Sequence, residues 1–172
     1  LHQRNKACLQ LNKTAAYKAI LNVDGSHLSQ KDAANFIADW SANIQVVTES
    51  GEQMTIAQAA NALSSLTIES ARKLTSDVSD FGESMSAMES IEVKNRSNMP
   101  ATLLFKCIPY LGLDHREFEI RLSVLTGGSR PEISLRIVGL EPHKEDIALE
   151  FKDRLVADFE GYEMKTFIGT AN

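Results

Sequence analysis

The sequence predicts an α+β fold: a mostly antiparallel sheet with helices on one face, in a single domain over residues 1–172. Three observations carry that expectation. Residues 116–126 and 132–137 alternate apolar and polar side chains on either side of a GGSRP turn, which is the pattern of a half-buried hairpin. Ile147, Phe151, Leu155 and Phe159 then recur every fourth position, which is the stripe of a helix. Finally, strands with a hairpin among them come before that helix, and one more strand follows it, an order that suits α+β packing.

Read in order, residues 7–11 suggest a short strand followed by polar linking sequence. NVDGS at 22–26 is a turn, because Asp and Gly tolerate left-handed backbone. A helix begins near Ser29, where Ser29 and Asp32 resemble a capping box; Ala33, Phe36, Ile37 and Trp40 give its buried face. A second helix fits 55–66, capped by Thr55 and Gln58, with Ile56, Ala59, Ala60, Leu63 and Leu66 as a stripe of mostly small residues suited to close packing. Residues 67–99, rich in Ser, Glu and Met, read as a protruding two-stranded arm (72–81 and 85–93, bending near Gly82) or a loop. ATLLFKCIPYLG from Ala101 is a buried strand that Pro109 interrupts. Pro142 opens the last helix with Glu145 and Asp146 near its positive end, Gly161 stops it, and EMKTFIG at 163–168 forms a final strand.

Composition narrows the class of protein. An apolar fraction of 43% suits a globular chain rather than a disordered one. No apolar run approaches the roughly 20 residues that span a bilayer, and no secretory leader is visible, so the expectation is a cytoplasmic protein without membrane association. The chain starts at Leu1, and the expectation is that its natural N-terminal region is missing. The two cysteines, Cys8 and Cys107, sit in apolar runs and read as reduced core thiols. The net charge of −5 opposes general nucleic-acid binding. It is unevenly spread: eight acids stand against two bases over 49–92, and seven bases against four acids over 94–136. A local anionic partner for the sheet therefore stays open.

Motifs with chemical meaning are few, and no cofactor is implied. DHREFE gathers Asp114, His115, Glu117 and Glu119 near a strand start, residue types that hold a divalent metal in nucleases, although an acid-x-lysine pattern is lacking. Asp24 and His27 flank a glycine turn with no nucleophile placed beside them. LTGGSRP has loop glycines but joins strand to strand and lacks the lysine of a phosphate loop. The outward charges Glu119, Arg121, Glu132 and Arg136 are mixed in sign and read first as a ladder of opposite charges across strands. Arg116, Arg121 and Arg136 are the candidate interaction surface.

From Phe118 to Thr170 the chain resembles the YfdQ-like phage and prophage proteins, a family of unknown function. The likeness rests on Arg121–Leu122 and Leu135–Ile137 of the hairpin, Pro142–His143 at the helix start, Phe151 and Leu155 in its stripe, and Gly169–Thr170 at the end. SQKDAANFIADWSANI and MTIAQAANALSSL are similar to the family's two earlier helices. The resemblance covers roughly residues 9–170 and implies a phage origin and a bacterial cytoplasm; it supplies no activity and no catalytic residues. The expected function is a non-enzymatic accessory protein that binds a host or phage protein or forms a homo-oligomer. The alternatives are a nucleic-acid protein, DNA-binding or a metal-dependent nuclease, and an acidic decoy of a host DNA-binding protein.

Overall fold

A computed structural model describes residues 9–67, 99–127, 130–162, 165 and 168–169 of the chain. Its elements are α1 (Ala15–Val23), β1 (Ser26–Ser29), α2 (Gln30–Asp39), β2 (Ile44–Thr48), β3 (Gln53–Met54), α3 (Ile56–Ser64), β4 (Pro100–Cys107), β5 (Arg116–Leu125), β6 (Glu132–Ile137) and α4 (Leu140–Asp158). The strands form one six-stranded sheet in the order β1-β6-β5-β4-β2-β3, and every pairing in it is antiparallel. The expected α+β fold is the observed one.

The core lies between one sheet face and the helices. Alternation along the strands sends Val46, Leu103, Phe105, Phe118, Ile120, Ile133 and Leu135 to that face, where they meet Tyr17 and Ile20 of α1, Phe36 and Ile37 of α2, Leu63 of α3 and Ile147 of α4. Aromatic rings set its centre: Phe118 lies 5.4 Å from Tyr17, and Phe105 lies 5.9 Å from Trp40. Burial pushes the Tyr17 phenol up to about 12 and the Cys107 thiol up to about 11, so both stay neutral in the core.

Local chemistry explains the element boundaries. Ser29 Oγ accepts the Asp32 N–H at 3.1 Å to start α2. Thr55 and Gln58 complete a reciprocal capping box at α3. Gln30 Nε2 donates to the carbonyls of Leu63 and Leu66, at 2.8 and 2.7 Å, and so satisfies the end of α3 from the start of α2.

The sheet is larger than the sequence pattern suggests, and α1 stands where polar linking sequence was expected. Residues 9–12 form no strand. Thr14 caps α1 by accepting the Tyr17 N–H at 3.2 Å, and Tyr17 and Ile20, three residues apart, give it a buried face. The NVDGS turn is present and does more than reverse the chain. Asp24 Oδ1 accepts the Ile137 N–H at 2.8 Å and the Gly25 N–H reaches Leu135 O at 2.7 Å, which docks β1 on β6. The last helix starts two residues before Pro142, after Gly139 with φ 64°. The expected arm at 72–81 and 85–93 lies outside the described residues, as do Cys8 and most of 163–168. Among the described residues no helix is long and apolar enough to cross a membrane.

Candidate interaction surface

The sheet face opposite the core carries none of the described helices. Its middle consists of Gln45 and Val47 from β2, Thr102, Leu104 and Lys106 from β4, Glu117, Glu119 and Arg121 from β5, and Arg136 from β6. Beyond Leu122 both faces of β5 are buried, Ser123 included, so the accessible area is confined to the β5 start and middle.

The register on this face differs from the expected ladder of opposite charges. Arg121 stands directly opposite Arg136, while Glu119 faces Leu104 and Glu132 faces Leu125 and Ser29. Arg121 Nε donates along its own strand to Glu119 Oε1 at 3.3 Å. Arg136 is exposed and has no ion-pair partner among the described residues. The cross-strand pair of opposite sign here is Lys106 with Glu117, at 3.2 Å. Like charges directly opposite weaken a sheet, so the arginine pair does not serve the sheet's own stability. Arg121 and Arg136 thus stand exposed beside half-buried Leu104, Val47 and Thr102 on this face.

The third candidate arginine has another role. Arg116 has a side-chain exposure of 21% and donates from Nη2 to Glu150 Oε2 of α4 at 2.9 Å, with Asp146 at 3.9 Å from Nη1. Glu150 Oε1 accepts the Asp114 N–H at 2.7 Å and pairs with Arg154 at 3.1 Å. Burial opposes the ionisation of Glu150, but the Asp114 amide and the Arg116 guanidinium outweigh it and hold its carboxyl below the usual range. This network straps α4 to the start of β5. The Arg116 Nε is buried without an acceptor, so the strap is incompletely satisfied.

The acids of DHREFE are drawn apart. The Asp114 carboxylate pairs with Arg154 at 2.7 Å, Glu117 with Lys106 and Glu119 with Arg121, and His115 is exposed. No group of three or more His, Cys, Asp or Glu side chains among the described residues is placed to hold a metal ion. Asp24 serves the β6 backbone, while His27 Nδ1 faces Glu132 at 3.4 Å. His143 packs its ring on Phe118 at 4.8 Å. Sequence reasoning missed the strap. The Glu150/Arg154 spacing of four was readable, but the partnership with Arg116 spans 34 residues.

Fold and surface together define an α+β protein with one sheet face packed by the described helices and the other bearing the exposed Arg121 and Arg136. The chain belongs to a family of uncharacterized conserved proteins, DUF2303, whose model matches residues 1–171. No curated protein and no solved structure matches it.

Proposed function

We propose that this chain is a YfdQ-like, prophage-encoded accessory protein that works in the bacterial cytoplasm without catalysing a reaction, by binding a protein partner or further copies of itself. The observation that carries this reading is the juxtaposition of Arg121 and Arg136 on the helix-free sheet face. A carboxylate-bearing protein surface laid there would relieve the repulsion between them, and Leu104 and Val47 beside them would gain burial. Light scattering over a range of concentrations tests self-association. The expected result is a mass above that of one chain; a single-chain mass throughout discards self-assembly and leaves the separate partner.

The same arginine pair supports a second reading, a nucleic-acid protein, because phosphate satisfies guanidinium as well as carboxylate does. Incubation with single- and double-stranded DNA, with and without Mn²⁺, separates the two. Salt-sensitive binding or cleavage that the Arg121→Glu/Arg136→Glu variant loses would replace the first reading with the second.

A further inference from the structure

α4 (Leu140–Asp158) is apolar on two sides. The inner side is accounted for: Ile147 is buried, Phe151 and Leu155 are half-buried, and Glu150 and Arg154 tie it to Arg116 and Asp114. On the outer side Leu149 is 51% and Val156 50% exposed. No other described helix or strand leaves a large apolar side chain exposed.

Residues seven apart stack on one face of a helix, so Leu149 and Val156 form a seam. Lys152 and Asp153 stand between them, each about 50° from that seam and on opposite sides of it. The ion pairs of α4 use Glu141, Lys144, Asp146, Glu150 and Arg154, and Lys152 and Asp153 make none among the described residues. An apolar seam flanked by one unpaired base and one unpaired acid is complementary to itself.

We infer that α4 packs side by side and parallel against α4 of a second copy of this chain, with Leu149 on Leu149 and Val156 on Val156 across a two-fold axis. The flanking charges choose the direction. In a parallel pair opposite flanks meet, so Lys152 of each copy faces Asp153 of the other on both sides of the seam. An antiparallel pair joins equal flanks and would set Lys152 against Lys152 and Asp153 against Asp153. One turn earlier Glu145 and Asp146 would meet acid to acid, which confines the contact to 149–156. Two turns of helix bury less than the roughly 800 Å² per partner of a standard interface, so the pairing is weak and concentration-dependent. α4 lies on the helix-covered side of the sheet, so a pair formed this way keeps Arg121 and Arg136 of both copies free and offers a partner two such faces. The inference rests on the self-assembling form of the function proposed above and places that assembly on a surface separate from the arginine pair.

The test is sedimentation equilibrium of the whole chain from about 10 μM to about 1 mM at low salt. Wild type should self-associate. Lys152→Glu sets a carboxylate against Asp153, and Asp153→Lys sets an ammonium against Lys152, so each should weaken association about tenfold or more. An equimolar mixture of the two variants rebuilds both ion pairs between unlike copies and should recover the wild-type strength, as should the double exchange Lys152→Glu/Asp153→Lys within one chain. Leu149→Asp should lose association altogether. All three positions are at or near the surface, and circular dichroism checks that the variants fold. Single charge variants that associate as wild type does, or a mixture no stronger than its components, would overturn the inference and leave self-assembly standing. So would association lost only in Arg121→Glu/Arg136→Glu, which would place the assembly on the sheet face. A mass of one chain up to about 1 mM removes self-assembly itself, and the inference with it.

Discussion

Glu150 shows how one side chain joins two elements. It accepts the Asp114 amide and the Arg116 guanidinium, and its lowered pKa means that folding favours the ionised form. An unfolded glutamate titrates near 4.3, so this contribution is complete above about that pH and is lost as the pH falls through the lower folded value. Glu150→Gln should cost about 1–3 kcal/mol at about pH 7, the worth of hydrogen bonds to charged groups, and the gap to wild type should be narrower below about pH 4, shrinking further as the pH falls. Urea unfolding followed by circular dichroism at both values checks this; a gap that stays as wide in acid would mean that packing, not charge, holds the strap. Phe105 is wholly buried against Trp40 and Phe36, and Phe105→Ala should lose about 3–5 kcal/mol in the same assay. At this scale the sequence was informative about burial: Phe36, Ile37 and the β5 and β6 apolar positions were all legible from periodicity. The fates of Arg116 and Arg121 were not, because each depends on a partner that only folding brings near or a register that only pairing sets.

Among the elements, α2, α3, α4 and the three long strands announce themselves through caps and alternation, and each observed boundary lies within about two residues of the expected one. The missed elements are short or carry weak signals. β1 and β3 have four and two residues, too few for a period to show, and β2 follows α2 after a brief turn. α1 was hidden because its cap is a lone Thr14 without an acid three residues on. Gly139 lets α4 start early: at φ 64° with nothing within 4 Å of a would-be Cβ, the demand there is on backbone conformation alone. Gly139→Ala should therefore cost about 1 kcal/mol by thermal or urea unfolding while leaving the strap intact. A loss of several kcal/mol would show that α4 docking itself had been disturbed.

For the whole molecule, the topology explains how the two faces of the sheet come to differ. Placing β1 beside β6 and β2 beside β4 collects all the described helices on one face and leaves Arg121 and Arg136 together on the other. Strand order of this kind was not legible in the sequence, since β2 and β4 are separated by α3 and by residues 67–99. The charge asymmetry along the chain was legible, and it becomes meaningful once the bases of β5 and β6 share a face. The most direct measurement of the central claim is capture of partners from a bacterial extract by the wild-type chain and by Arg121→Glu/Arg136→Glu, with Lys18→Glu/Lys31→Glu, exposed on α1 and α2, as a control for general charge change. The account predicts a defined protein partner held by wild type and lost with the arginine variant. Retention of the same partner by the folded arginine variant would contradict it.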